Sequence, residues 1–510
     1  MHKSKVVVLD FGSQVSRLIV KAIRRIGVYA ELIPFNADVE LLNTSEVRAI
    51  VLSGGPSSVS DAEAPMPHPD LFNIGKPILG ICYGLQVMAR ILNGSIAQGS
   101  KREYGRASLI FEDDPLFEGI DEGFTVWMSH FDQVVKLPEG FISIAHTKAC
   151  TNAAVRHRDL PIYGLQFHPE VVHTEHGERI LENFLKISGE REFDWKPSNF
   201  LNDTIEWVRE ETKGENVLCG LSGGVDSTVL AVILHKAVGN KLRCFFIDNG
   251  LLRLNEAEEV MKNLTSLNLP VDLIDAQDDF LKALEGIEDP EEKRKIIGRV
   301  FIETFSNATK TYRDFKYLAQ GTLYPDVIES VSFKGPAVVI KSHHNVGGLP
   351  KDVPFRLIEP FRELFKDEVR MLGRELGMPE HILNRHPFPG PGLAVRILGS
   401  IDRESLDILR KADDIFISEM KASGLYDYVW QGFAVLLPIR SVGVMGDMRT
   451  YDRVIALRAV TGEDGMTADW ARLPLDFLAK VSNRIINEVQ GINRVVYDLS
   501  SKPPATIEWE

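Results

Sequence analysis

The chain has 510 residues, of which 44% are hydrophobic and 25% charged. Those values exclude a disordered, collagenous or coiled-coil chain, and at about 150 residues per domain the length suggests roughly three domains. With 58 Lys and Arg against 72 Asp and Glu the formal charge is −14. This excludes the broad basic footprint of a nucleic-acid binder but not local pockets for small anions.

In chain order, the apolar run Val6–Leu9 stops at Asp10. It is too short for the hydrophobic region of a signal peptide, and without any run of 18 apolar residues no membrane span is expected. Lys5–Leu9 reads as a strand. Val15, Leu18, Ile19, Ala22, Ile23 and Ile26 then recur at the spacing of one helix face, with Gly27 placed as the C-cap. Strands follow at Ala30–Pro34 and Ala49–Leu52. A strand–helix–strand rhythm predicts a mostly parallel sheet covered by helices on both faces, and in such sheets ligands gather at the carboxyl ends of the strands.

A polar stretch with a proline, Ser188–Asn199, interrupts the pattern. The rhythm resumes with a strand at Asn216–Leu221, a loop at Ser222–Ser227, a helix at Thr228–Val238 and a strand at Leu242–Ile247. A second breaker, Asn384–Gly392, carries three prolines and two glycines. Beyond it, helical patterns at Leu406–Met420 and Pro474–Val489 mix with strand-like runs at Phe433–Ile439, Arg453–Val460 and Arg494–Leu499. The expected fold class is therefore α/β: two doubly wound, mostly parallel-sheet domains (1–190 and 195–385), then a smaller α+β domain (386–510). The four cysteines, Cys82, Cys150, Cys219 and Cys244, form no C-x-x-C pair and have no zinc-like histidine spacing. They suit a reduced, cytoplasmic protein.

One cysteine stands apart. Gly80-Ile81-Cys82-Tyr83-Gly84 is a G-x-C-x-G sequence after the apolar strand Ile78–Ile81 and before a helix face of Leu85, Met88, Ala89 and Leu92. It is the thiol counterpart of the G-x-S-x-G nucleophile elbow. Cys82 would sit at a helix N-terminus, where the dipole favours a thiolate, and the Tyr83 N–H would face an oxyanion. A thiol nucleophile needs a base, and the base an orienting group; His168 and Glu170 in GLQFHPE, following the strand-like Ile162–Phe167, supply both, two residues apart and able to share a face of an extended strand. Taken alone, a cysteine and a distant histidine favour a buried structural thiol and an unrelated histidine; the elbow and the H-P-E spacing reverse that in favour of catalysis.

The second chemical stretch is Leu221–Thr228, LSGGVDST, between a strand and a helix. Gly223 and Gly224 let the backbone aim N–H groups at an anion, Ser222, Ser227 and Thr228 add hydroxyls, and the helix adds its dipole. The bland alternative is a glycine turn with Asp226 or Ser227 as N-cap. No lysine stands where a Walker A loop needs one. A carboxylate, Asp226, lies there instead, and a carboxylate beside phosphates calls for Mg2+ between them. No zinc, flavin or nicotinamide is expected.

The elbow and H-P-E resemble those of the class I glutamine amidotransferases. That resemblance implies that Gly54 of Ser53-Gly54-Gly55-Pro56 shares the oxyanion site with Tyr83, and that Gln86, Ser129, His130 and Asp132 hold glutamine. His130 is the rival for catalytic base but lacks the carboxylate of H-P-E. Phe131 stands where the family's S-H-G-D has glycine. The S-G-G-x-D-S loop resembles that of the N-type ATP pyrophosphatases, which transfer AMP to an oxygen and release pyrophosphate. It implies an ATP site of Ser222, Gly223, Gly224, Val225, Asp226, Ser227 and Thr228, with Asp248, Gly321, Asp326 and Glu329 nearby. Asp226, and secondarily Asp326, would bind Mg2+, and Lys341 in KSHHN would form a basic lid.

The whole layout, the RHPFPGPGL linker and the ending SKPPATIEWE resemble the glutamine-hydrolysing GMP synthetases. That family implies amination of XMP to GMP with ATP and glutamine, through adenylyl-XMP. It also implies XMP contacts at Arg299, Gln431, Arg494, Lys502, Ile507 and Glu508, and a homodimer through the last domain. Ammonia would need a protected interface or a domain movement between the first two domains.

Overall fold

The computed structural model describes residues 4–13, 15–121, 123–190, 193–310, 314–330, 355–445, 448–462, 467–502 and 504–510. Among these, contacts separate two compact units, one running to Lys196 and the other starting at Pro197.

The first unit opens with β1 (Lys5–Asp10), α1 (Ser16–Ile26), β2 (Ala30–Pro34), α2 (Val39–Leu42) and β3 (Val47–Leu52), then β4 (Ile78–Ile81) and α3 (Tyr83–Ile91). Helix α1 ends as its sequence dictates: Gly27 takes the left-handed φ of 103° and its N–H donates to the Arg24 carbonyl at 3.0 Å. After α3 come β5 (Ser95–Ser108), β6 (Ile110–Phe111), β7 (Thr125–Lys136), β8 (Phe141–His146), β9 (Ala154–His157), β10 (Ile162–Leu165) and α4 (Gly177–Ile187). Among the described residues eight strands form one sheet in the order β2-β1-β3-β4-β10-β9-β8-β6. Its β2-to-β10 half is parallel and its β10-to-β6 half antiparallel, while β5 and β7 form a separate antiparallel ribbon. The carboxyl ends of β3, β4 and β10 lie side by side because those strands are in-register neighbours.

The second unit begins with α5 (Pro197–Thr212), β11 (Asn216–Leu221), α6 (Val225–Val238), β12 (Leu242–Asp248), α7 (Glu256–Ser266), β13 (Val271–Asp275), α8 (Gln277–Ala283) and α9 (Pro290–Thr309). It continues through β14 (Phe315–Ala319), α10 (Tyr324–Ser330), β15 (Arg356–Ile358), α11 (Lys366–Glu375) and α12 (Glu380–Leu383). The parallel sheet runs β13-β12-β11-β14-β15. The order reverses on either side of β11, so the crevice for a ligand opens at the end of β11. Then follow α13 (Arg403–Ala422), β16 (Gln431–Met445), β17 (Met448–Thr461), β18 (Asp469–Trp470), α14 (Leu475–Glu488) and β19 (Ile492–Tyr497). β17 pairs antiparallel with β16 and β18 and parallel with β19, the α+β layout expected of the last segment.

One apolar core runs through this whole unit, from Leu218, Phe245, Phe280 and Phe305 to Leu393, Leu409, Phe416, Phe477 and Val481. The expected boundary at 385–386 falls inside it. Among the element ends that differ from expectation, two bear on the chemistry. Helix α6 starts at Val225 rather than Thr228, and β10 stops at Leu165 rather than Phe167. Both differences lie at the chemical motifs.

Candidate active sites

In the first unit, β4 runs straight into α3 through Cys82, which holds φ 50° and ψ −102°. A non-glycine residue in that region is strained and survives only where its surroundings impose it. Here they do. A methyl group on Gly84 would stand 2.3 Å from the Leu52 carbonyl oxygen, and one on Gly80 2.8 Å from the backbone of Gly84. Only glycine at both positions lets the end of β3, the turn and the first turn of α3 come this close, and the Cys82 N–H donates to the Leu165 carbonyl at 2.6 Å. Tyr83, the first residue of α3, has no intrahelical acceptor for its N–H. Its buried ring is stapled through the hydroxyl to the Pro65 carbonyl at 2.9 Å, and burial pushes that phenol up to about 12.

His168 and Glu170 lie in a turn past the end of β10. The pairing expected from a shared strand face is present on different backbone. His168 Nδ1 bonds Glu170 Oε1 at 2.8 Å, and both side chains are buried. Burial alone would lower the imidazole; the negative charges of Glu170 and Cys82, and hydrogen bonds to both, outweigh it and hold His168 well above its ordinary value. Three features that sequence patterning does not reveal fix the turn. The Thr174 hydroxyl donates to the His168 carbonyl at 2.6 Å, the His168 N–H donates to the Trp127 carbonyl at 3.1 Å, and a methyl on Gly177 would stand 1.9 Å from the Pro169 oxygen. The Ser53–Pro56 loop closes over the same point. A methyl on Gly54 would meet His168 Cε1 at 3.1 Å and one on Gly55 the Tyr83 ring at 3.1 Å, while the Ser53 hydroxyl ties the loop to Phe11 N–H and the Gly54 carbonyl.

Around the sulfur, the Cys82 thiol faces the Ser129 carbonyl and the buried Gln166 amide points Nε2 at Sγ, both at 3.7 Å. Gln86 donates to the Asp132 carbonyl at 2.7 Å, and the Asp132 carboxylate accepts from Ser58. His130 lies 3.4 Å from Glu103, in the ribbon strand opposite, and burial lowers its imidazole against the pull of that carboxylate. Its companion is therefore Glu103 and not a residue of H-P-E. The arrangement suits nucleophilic acyl transfer: a thiol at a helix N-terminus, a base oriented by a buried carboxylate, and backbone N–H groups for the oxyanion.

In the second unit, the early start of α6 puts Asp226, Ser227 and Thr228 in its first turn, with Gly224 as N-cap. The loop proper is Ser222–Gly224. It holds itself by hydroxyl bonds, from Gly224 N–H to Ser222 Oγ at 3.3 Å, Thr228 Oγ1 to the Gly224 carbonyl at 2.8 Å and Ser222 N–H to Ser227 Oγ at 3.2 Å. Gly321 faces it, since a methyl there would stand 3.8 Å from Asp226 C and Ser227 N. Asp248 ends β12 and accepts from Gly250 N–H and Gln277 Nε2 at 2.9 and 3.1 Å. Asp326 accepts from Leu323 N–H at 2.9 Å. Asp226 Oδ2 lies 3.5 Å from Lys366, while its buried Oδ1 has no hydrogen-bond partner among the described residues. Nothing in the sequence spacing of Lys366 ties it to the loop, so sequence reasoning misses it. Lys341 and the side chain of Glu329 lie outside the described residues.

Of the expected XMP contacts, the structure joins two directly: Gln431 Nε2 donates to Glu508 Oε1 at 2.8 Å. The Glu508 carboxylate also receives a two-pronged bond from Arg396, at 3.0 and 2.8 Å, whose fully buried guanidinium stacks 4.0 Å over Phe433. Ile507 is buried against Phe433 and Val460, and its carbonyl accepts from Arg458 at 2.9 Å. Lys502 pairs its backbone with Ala468. Arg494 is exposed on β19 and donates to Ser441 Oγ at 2.7 Å; Arg299 is exposed on α9, 3.6 Å from Glu303. Among the described residues no group of three or more His, Cys, Asp or Glu could hold a metal by itself, and no helix is long and apolar enough to cross a membrane.

Comparison with known proteins is consistent along the chain. The class-I glutamine amidotransferase family matches residues 7–187, the NAD synthase family residues 198–310, and the GMP synthase C terminal domain residues 418–509. A protein of Aquifex aeolicus named GMP synthase [glutamine-hydrolyzing] is 56% identical over 511 residues, covering 100% of both chains. One of the same name from Chlorobaculum tepidum is 58% identical over 99% of both. The solved structure of a putative GMP synthase subunit from Thermoplasma acidophilum is 29% identical, with a TM-score of 0.32, and covers 37% of this chain and 96% of that one. With full-length relatives at this identity and amidotransferase and GMP synthase C-terminal models at its two ends, the chain belongs to the glutamine-hydrolysing GMP synthase family.

Proposed function

We propose that this chain aminates XMP to GMP, driven by ATP and using ammonia from glutamine, with three segments dividing the work near the expected bounds 1–190, 195–385 and 386–510. The observation that carries this reading is the presence, in one chain, of a complete Cys82–His168–Glu170 constellation and a separate phosphate-type loop at a sheet's switch point.

At the first site Cys82 attacks the glutamine amide. His168 takes the thiol proton and returns it to the departing nitrogen, Glu170 keeps the ring oriented, and the Gly54 and Tyr83 N–H groups hold the oxyanion. Gln86, Ser129, His130 and Asp132 line the place for the amino acid. Ammonia leaves as the thioester forms, and hydrolysis of the thioester then releases glutamate. At the second site the Ser222–Thr228 cradle, flanked by Asp248 and Gly321, takes the phosphates of ATP. O2 of XMP displaces pyrophosphate from the α-phosphorus, and ammonia then displaces AMP. Gln431 and Glu508 suit the polar edge of a purine, and Arg299, Arg494 and Lys502 are the cations available for its 5′-phosphate.

The residues present fit Mg2+. Among the described residues the buried Asp226 Oδ1 lacks a hydrogen-bond partner beside the phosphate cradle, so Asp226 would hold the ion with ATP, with Asp326 as a second candidate. Bound Mg2+ would screen the carboxylate from the phosphates. We infer a cytoplasmic protein from its four buried free thiols, two of which, Cys219 and Cys244, are register partners on β11 and β12 with no disulfide between them. A homodimer is supported by the exposed apolar side chains Val442, Val444 and Tyr451, which share one face of the β16–β17 hairpin; a monomeric mass in solution would remove that part of the reading. The function itself is tested by mixing the chain with XMP, Mg·ATP and glutamine: GMP, AMP, pyrophosphate and glutamate should appear in equal amounts, and AMP formation only with a different acceptor would overturn it.

A further inference from the structure

The phosphate-type loop is held from behind by a residue 162 positions away in sequence. Arg385, in the proline-rich breaker, donates from Nη1 to the Gly223 carbonyl at 2.8 Å, while its Nη2 pairs with the buried carboxylate of Glu256. Glu256 is itself fixed, accepting from the Arg253 N–H at 2.8 Å. A peptide unit is planar and trans, so its C=O and N–H point to opposite sides. Tethering the Gly223 oxygen on the Arg385 side turns the N–H of the same unit, that of Gly224, toward Ser222 Oγ on the cradle side. Gly223 brings no side chain of its own to anchor this unit. It takes φ 73°, which side chains disfavour, and it is crowded, with a methyl there standing 2.9 Å from Val260 Cγ2. An untethered glycine pair can flip this peptide and turn a carbonyl, rather than an N–H, toward bound phosphate.

We propose that Arg385 is a positioning residue for the nucleotide reaction: it locks the Gly223–Gly224 peptide so that the cradle offers an N–H to the polyphosphate. This rests on the reading that Ser222–Thr228 takes the phosphates of ATP. The same segment reaches the other nucleotide site, because Pro387 accepts from Gln431 Nε2 at 3.2 Å and His386 Nδ1 accepts from Gly432 N–H at 3.3 Å. The proposal concerns Arg385 alone, and Arg385→Met should therefore leave the XMP side intact.

The test uses the full chain with ammonia as nitrogen donor, so that glutamine hydrolysis does not enter. Arg385→Met should raise KM for ATP about tenfold or more, the scale of a lost charge-assisted hydrogen bond, and raise the inhibition constant of added pyrophosphate in parallel. KM for XMP should change less than about twofold, a split that a general loss of structure does not produce. Arg385→Lys, which can still reach one carbonyl, should recover part of the loss. Ser227→Ala reports on the underlying reading. If it raises KM for ATP while Arg385→Met leaves both ATP and pyrophosphate constants unchanged, the positioning role is wrong; if Ser227→Ala also changes nothing, the assignment of the loop to ATP falls first. Should Arg385→Met raise the KM of XMP as much as that of ATP, the role is structural and the proposal is overturned.

Discussion

The two chemical sites stand on similar scaffolds, a parallel sheet whose strand runs into a helix N-terminus, yet they are finished to different degrees. Around Cys82 every reacting group is buried and already joined to its partner. The backbone strain at Cys82 is enforced by two glycines, and His168 is gripped by Glu170, Thr174 and Trp127. Around Ser222 the hydroxyls bond mainly to their own loop, and Asp226 leaves one buried oxygen without a hydrogen-bond partner among the described residues. The difference follows from the ligands. Acyl transfer uses protein atoms as reactants, so these must be oriented beforehand; phosphoryl and adenylyl transfer use mainly the substrates' own atoms, and the protein supplies positioning and charge.

The largest expected effect breaks the two sites apart. Cys82→Ala should lower glutamine-dependent GMP formation by about 10^4-fold, the scale of losing a nucleophile, and leave ammonia-dependent formation within about twofold. Asp226→Asn should do the reverse in kind, lowering both glutamine- and ammonia-dependent formation about 10^3-fold, because a carboxylate–metal–phosphate arrangement has no neutral substitute. Steady-state assays with the two nitrogen sources measure both. Equal losses with ammonia in the two variants would mean that the sites are not separable.

Much of this division is legible in the sequence, and the misses have physical causes. Short apolar runs next to turn residues make β2, β4 and β11 readable to their ends. The elbow is readable because only glycine tolerates the approach of α3 to Leu52. Sequence patterning starts α6 three residues late because S-G-G-V-D-S looks like loop throughout, whereas Gly224 adopts an extended N-cap conformation and the Thr228 hydroxyl bonds back to its carbonyl. Neither Arg385 nor Arg396 stands out in the sequence, since their partners lie 162 and 112 residues away and no local pattern records such a contact. Both prop a motif that the sequence does reveal.

The two regions should also respond to pH in opposite directions. In the second unit, His386 is stacked on Tyr426 at 3.7 Å, and burial, with Arg253 and Lys421 opposing Tyr426 and Asp427, depresses it from 6.5 to about 4. Below pH 6.5 the unfolded chain takes up a proton that the folded chain refuses until about pH 4. Stability is therefore lost as the pH falls through that window, by about 3 kcal/mol. His168 has the other sign. Its folded value is raised, so its contribution is complete below 6.5 and is lost as the pH rises through the folded value. Denaturant titrations of wild type and His386→Phe, which keeps an aromatic stack but loses both the titration and the bond from Gly432 N–H, should keep a constant separation above pH 7 and change it between pH 6.5 and 4. Parallel curves throughout would remove His386 from the account.

The smallest expected effect probes how complete the Cys82 site is without its ligand. Gln166 is fully buried, its N–H donates to the Ala153 carbonyl at 2.8 Å, and its amide Nε2 reaches Sγ at 3.7 Å while its own Oε1 has no hydrogen-bond partner among the described residues. A residue kept there only for packing could be exchanged for leucine at little kinetic cost. One that donates to sulfur stabilises the thiolate and should be missed mainly in the chemical step. Sulfur is a weak acceptor, so the bond contributes only about 1 kcal/mol, and Gln166→Leu should lower kcat for glutamine hydrolysis by about five- to tenfold with KM nearly unchanged. Gln166→Glu sharpens the point, because it keeps the shape while placing a carboxylate beside the sulfur. It should cost more than leucine and shift the acidic limb of the pH–rate profile, on which the thiolate forms, to higher pH, as a negative neighbour opposes thiolate formation. If leucine and glutamate behave alike, Gln166 only fills space, and the sulfur is activated by His168 and the helix N-terminus alone.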